Sequence, residues 1–173
     1  YLVSASGDYT MKVWDIRNDF SPVHTFEGHS AEVYAARIFK NGSDYRIVSA
    51  GNDNKVILWS LSEKKMIREY THTHKLQFLA MSSRYIAASG YQDNTILIFD
   101  RDLNYLKSIE SETVPEGLAF SPDEKLLLAG TASHPLVCNI YDTSKDFAKI
   151  TSFTRHDNAT MAVTFIDNSK AVT

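Results

Sequence analysis

The sequence has one cysteine, Cys138, four prolines and seven glycines in 173 residues. A lone thiol excludes an internal disulfide framework and fits a reducing, intracellular compartment, cytoplasm or nucleus. The glycines form neither a GxGxxG nor a phosphate-cradling loop, so nucleotide binding has no motif to rest on. No apolar run approaches the roughly 18 residues of a membrane-crossing helix. Tyr1 to Ser6 also lack the basic start and long apolar stretch of a secretory signal. Excess charge of one sign is missing too: 18 Lys and Arg against 21 Asp and Glu leave a net charge of −3. Nucleic acid is therefore not an expected partner, because phosphate contacts need clustered basic residues. With 43% hydrophobic residues, the chain has the length and composition of a folded domain with a sizeable core.

What is present is an internal repeat. The segment Ser4 to Asp15 superposes without gaps on Ser49 to Ser60, Ser89 to Asp100 and Thr131 to Asp142. Each opens with Ser or Thr and places an aromatic anchor ten positions later: Trp14, Trp59, Phe99 and Tyr141. Asp8, Asp53 and Asp93 share the fifth position, and His29, His74, Val114 and His156 each lie 15 residues after an anchor. Within a repeat the apolar runs are short and rich in β-branched residues, as in Val56–Leu61 and Thr95–Phe99, and turn residues separate them. The second repeat resolves into strands over Val33–Phe39, Tyr45–Ala50, Lys55–Leu61 and Lys65–Thr71. Four short antiparallel strands cannot bury both faces alone, and stacking such sheets around an axis solves the problem. The expected fold is all-β, a propeller of four-stranded blades.

These residues resemble the WD-repeat (Trp-Asp repeat) β-propeller family. The likeness rests on Gly28-His29 upstream of Trp59, on Trp14-Asp15, and on Phe99-Asp100 and Tyr141-Asp142 in the same place. The turn Phe120 to Lys125 adds to it. Departures are that no glycine precedes His74 or His156, and that Ser60 stands where the pair has its aspartate. The resemblance implies a structural tetrad of His29, Ser49, Asp53 and Trp59. Asp53 would orient the imidazole, whose other nitrogen meets the Ser49 hydroxyl, which in turn accepts from the Trp59 N–H. His74, Ser89 and Asp93 would repeat the set one donor short, since Phe99 has no N–H. The fourth repeat keeps only Thr131 and is expected to be held by packing.

A Ser-His-Asp set that recurs once per repeat reads as structure, and no nucleophile-elbow context accompanies it, so no residue is assigned a catalytic role. His72-Thr73-His74 is committed to the repeat pattern and has no spaced Cys or carboxylate, so neither a metal nor a cofactor is expected. Cys138 falls in the middle of an expected strand, Leu136–Tyr141, as an inert buried thiol. The sequons Asn41-Gly42-Ser43 and Asn158-Ala159-Thr160 read as coincidence.

The resemblance places partners on the loop face beside the tetrads, at Ser30, Glu32, Asn52, Lys75, Gln92, Glu112, His134, Asp157 and Ala159. This mixed-sign, polar set suits a protein or peptide partner better than an anionic polymer, and no membrane partner is expected. The expected function is a non-enzymatic protein-interaction scaffold. The alternative is a sensor or substrate-recruiting propeller of a larger enzyme whose catalytic domain lies outside this sequence. The expected division is a part-blade at 1–28, blades at 29–73, 74–113 and 114–155, and a part-blade at 156–173. That makes an incomplete arc of three full blades and two part-blades, whose ends the remaining blades of the same protein would cover.

Overall fold

The computed structural model describes residues 1–131, 137–154 and 162–173. The chain divides into two compact units, Tyr1–Leu79 and Ala80–Thr173.

Unit 1 holds two antiparallel meanders. The first is β1 (Leu2–Ala5), β2 (Met11–Asp15) and β3 (Ser21–Phe26); the second is β4 (Val33–Asn41), β5 (Asp44–Gly51), β6 (Lys55–Ser60) and β7 (Lys65–Thr71). The expected strands of the second repeat coincide with β4 to β7 to within two residues at either end. The run Ile47–Ala50 and the run Val56–Leu58 are fully enclosed because β5 and β6 are the central strands, covered on both faces. β7 is the outer strand and is largely exposed. The β4–β5 connection is a two-residue turn, Gly42-Ser43, between the paired Asn41 and Asp44; Gly42 has φ +61°, which glycine adopts without strain.

The core of unit 1 joins both sheets: Met11, Val13 and Phe26 from the first, and Val33, Ile47, Ile57, Trp59 and Leu61 from the second. Burying each such side chain stabilises the fold by about 1.5–3 kcal/mol. Ser60, in the position of the family's aspartate, donates to Asp44 Oδ2 at 2.6 Å and thereby ties the strand end to the neighbouring hairpin.

Unit 2 contains two four-stranded sheets and a hairpin. The first sheet is β8 (Phe78–Met81, which begins at the unit boundary), β9 (Tyr85–Ser89), β10 (Thr95–Asp100) and β11 (Tyr105–Glu110). The second is β12 (Pro115–Phe120), β13 (Leu126–Thr131), β14 (Cys138–Asp142) and β15 (Ala148–Phe153). β16 (Thr164–Phe165) pairs with β17 (Ala171–Val172). Among the described residues the helical content is a single 3-10 turn, Thr143–Lys145, capped by Asp142, whose Oδ1 accepts from the Ser144 N–H. Cys138 is buried, but it opens β14 and does not sit mid-strand. The first and second sheets are tied by Ser83, whose N–H and hydroxyl both donate to the Glu124 carboxylate, and by an edge-on Tyr85–Phe147 ring contact at 5.1 Å.

All four aromatic anchors share one backbone device. Pairing with the following strand slips between Val13 and Trp14, Leu58 and Trp59, Ile98 and Phe99, and Ile140 and Tyr141. A bulge next to the anchor bends the strand and re-aims the ring, which explains why the anchor position recurs more faithfully than its neighbours.

Candidate functional site

The end of unit 1 where β5 turns into β6 gathers the segment entering β4. Gly28 makes this approach possible. Its φ is +150°, and a Cβ there would stand 2.9 Å from Trp59 Cη2. Any side chain would strain the backbone and strike the indole. Behind it, His29 Nδ1 lies 2.8 Å from Asp53 Oδ2 and His29 Nε2 lies 2.7 Å from Ser49 Oγ; Trp59 Nε1–H donates to the same oxygen at 2.9 Å. Asp53 also accepts the backbone N–H of Ser30 at 3.0 Å and of Lys55 at 3.2 Å. Burial lowers the His29 pKa from its ordinary value, outweighing the neighbouring Asp53 carboxylate that raises it. The ring is therefore neutral near pH 7. The network then assigns one tautomer, with Nδ1–H donating to Asp53 and Nε2 accepting from the Ser49 hydroxyl. Every polar atom of the set is committed, and the His29 and Asp53 side chains are 1% and 2% exposed. A serine whose hydroxyl is enclosed and already shared with an indole cannot meet a substrate.

The third repeat is built differently. Strand pairing sets Ser4 opposite Lys12 and Ser49 opposite Ile57, each two residues before its anchor. Two residues before Phe99, Leu97 faces Ala88, not Ser89. Ser89 is thus one residue out of register and points to the other face of its strand. Its hydroxyl donates to Pro115 O at 2.8 Å, so the expected tetrad role of Ser89 is corrected to a tie between β9 and β12. His74 is exposed with Nδ1 3.0 Å from Thr73 Oγ1, and Asp93 accepts from Thr95 Oγ1 at 2.6 Å. Superposing Gly90 on Gly51 would have revealed the slip, because Gly51 also resists a side chain: its Cβ would meet Glu32 O at 2.9 Å.

In the fourth repeat the residue facing Asn139 is Ala129, and Thr131 Oγ1 closes on Val137, donating to its O and accepting from its N–H at 3.0 Å each. This blade is not held by packing alone. The Tyr141 phenol interacts with the Ser111 and Asn139 side chains, and burial raises its pKa.

Outside the tetrad, unit 1 presents a continuous polar face. Asn52 Nδ2 donates to Glu32 Oε2 at 3.2 Å, Gln77 Nε2 donates to Asn52 Oδ1 at 2.9 Å, and the Asn52 N–H donates to Glu32 O at 2.9 Å. A Cβ on Gly7 would lie 3.9 Å from Glu32 Cγ, so the β1–β2 turn borders the same face. Hydrogen bonds from its own backbone N–H and from Asn52 hold the Glu32 pKa below the ordinary carboxylate value, with Lys75 adding to the effect. Ser30, Glu32, Asn52 and Lys75 are thus brought together, and Gln77, which sequence reasoning missed, completes the relay. In unit 2, Gln92 is exposed at a turn with φ +65°, and Glu112 accepts from Lys149 Nζ at 2.7 Å. His134, Asp157 and Ala159 lie outside the described residues.

Repeated four-stranded meanders, each anchored by a bulged aromatic, define the β-propeller class. A solved chain described as "Crystal Structure of Mitotic Checkpoint Complex" has the same fold, with a TM-score of 0.82 at 20% identity over 94% of this chain and 52% of its own. A family profile described as "WD domain, G-beta repeat" matches residues 20–60. MST50-interacting protein 11 of Pyricularia oryzae is 32% identical over 70% of this chain and 39% of its own length. E3 ubiquitin-protein ligase COP1 of Arabidopsis thaliana is 26% identical over 60% of this chain and 15% of its own. The chain belongs to the WD-repeat β-propeller family. It spans well under half the length of these two relatives.

Proposed function

We propose that this chain is a non-enzymatic interaction platform that takes a protein or peptide partner on the loop face built by Ser30, Glu32, Asn52, Lys75 and Gln77. The observation that carries this reading is the contrast at that end of unit 1. The polar atoms of the tetrad are buried and mutually satisfied, whereas the Glu32–Asn52–Gln77 relay is only half-buried and is fixed in place by backbone and side-chain bonds. A preorganised polar surface on a rigid scaffold loses little side-chain entropy when a partner docks. Gln92 and Glu112 are proposed as further contacts of the same kind from unit 2, and the blades as the divisions at 1–28, 29–73, 74–113, 114–155 and 156–173. Glu32→Ala with Asn52→Ala in the full-length protein should abolish capture of its partner while the melting temperature stays unchanged. Capture at the wild-type level would refute the site.

A second reading, a sensor or recruiting propeller within a larger enzyme, is favoured by one observation. The match to a ubiquitin ligase occupies only 15% of that protein's length. The flanking sequence of this protein, read for a catalytic domain, decides between the two.

A further inference from the structure

The Glu32–Asn52–Gln77 relay has a direction, and the carboxylate sets it. Glu32 is ionised at neutral pH, its pKa being held below the ordinary carboxylate value. An ionised carboxylate can only accept, so Asn52 must turn its NH2 toward Glu32 Oε2, which it reaches at 3.2 Å. The Asn52 carbonyl then faces Gln77, which must answer with its own NH2 and donates to Asn52 Oδ1 at 2.9 Å. Both amides thus donate toward Glu32. What the relay still offers is acceptors. One is the Gln77 carbonyl oxygen. The other is the carboxylate, which has about four acceptor positions and uses two of them on Asn52 and on its own N–H. The backbone beneath is fixed as well. The Asn52 N–H donates to Glu32 O at 2.9 Å and the Leu76 N–H donates to Gly51 O at 3.2 Å, which ties together the segments that carry all three side chains. Leu76 is itself 1% exposed and anchors Lys75 and Gln77 on either side of it.

We propose, on the basis of the docking face assigned above, that the partner contacts it with a basic segment, a lysine or arginine side chain of which docks on the Glu32 carboxylate. Ammonium and guanidinium groups carry donors only, which matches a relay that presents acceptors. A phosphate or carboxylate would set acceptors against acceptors and charge against charge. An apolar side chain would desolvate Glu32 without giving it a new hydrogen bond. Lys75 shows that the site favours positive charge, since its own charge already helps to lower the Glu32 pKa. Because the carboxylate is held before the partner arrives, the side-chain entropy lost on pairing is mostly the partner's. The Gln77 carbonyl is a further acceptor for donors of the same segment.

A phage-displayed library of random peptides, selected on the full-length protein, supplies the probe. The selected peptides should be enriched in lysine and arginine over the starting library. Glu32→Gln keeps an oxygen for Asn52 and removes only the charge, so it should weaken these peptides about tenfold while the melting temperature stays unchanged. Lys75→Ala removes a competing positive charge and should strengthen them about twofold. Three results overturn the basic-partner assignment while the docking face stands, provided that Glu32→Ala with Asn52→Ala still weakens the peptides. These are acidic or apolar peptides without the enrichment, full affinity for Glu32→Gln, and weaker binding to Lys75→Ala. If the double variant weakens none of the selected peptides, both the assignment and the docking face fall.

Discussion

Replacing Ser49 by alanine is the sharpest perturbation of the tetrad, because one oxygen serves two partners. The hydroxyl accepts from Trp59 Nε1–H at 2.9 Å and donates to His29 Nε2 at 2.7 Å, and Ser49 is completely enclosed. Alanine fits the same space, so packing is nearly unchanged and the effect is almost purely polar. Two buried groups lose their partner, each at a cost of about 1–3 kcal/mol. They share one network and are not additive, which places the total at about 2–4 kcal/mol. That is a large part of the roughly 5–15 kcal/mol stability of an ordinary domain. Ser89→Ala is the built-in control: it removes one bond to Pro115 O and should cost about 1 kcal/mol. Urea denaturation of both variants measures the difference. A double-mutant cycle with Trp59→Phe, which deletes the indole N–H, should return a coupling of about 0.5–3 kcal/mol. Zero coupling, or a larger loss for Ser89→Ala than for Ser49→Ala, would refute the reasoning.

Gly28→Ala should destabilise unit 1 by about 1–3 kcal/mol, since it combines a left-handed φ with a Cβ only 2.9 Å from the Trp59 ring; a melting curve that does not move would contradict this. Stability should also depend on pH through His29. Burial holds its folded pKa below the ordinary 6.5, so the unfolded chain takes up this proton more readily than the folded one. The network's contribution is therefore complete above about pH 6.5 and is lost as the pH falls through the folded-state pKa of His29. Denaturation midpoints of the wild type and His29→Asn should converge as acid is added, and parallel curves would contradict the lowered folded-state pKa of His29.

The strands of the second repeat were legible in the sequence because Asn41-Gly42-Ser43 and Asp53-Asn54 mark both turns and the apolar runs between them have strand length. The tetrad at His29, Ser49, Asp53 and Trp59 was legible for a related reason: in that blade the spacing in sequence equals the spacing across the strand pair. In the third and fourth blades it does not. Leu97 faces Ala88 and Asn139 faces Ala129, so a gap-free superposition carries Ser89 and Thr131 one and two residues past the position of Ser49. A single-residue difference in hairpin length leaves the apolar pattern looking intact while turning a hydroxyl to the opposite face. Gln77 was missed for another reason. It belongs to the entry of the next strand, and only folding brings it against Asn52. The contact among Ser111, Asn139 and Tyr141 has no sequence motif; its signal is an asparagine where the second and third repeats hold isoleucine and leucine.

The central claim, that the loop face of unit 1 is where a partner docks, is most directly tested by amide hydrogen exchange on the full-length protein with and without its captured partner. The account predicts new protection concentrated at 30–32, 52–53 and 75–77, with little change along the outer strands β7, β11 and β15. Protection on those outer strands with an unaltered loop face would contradict it.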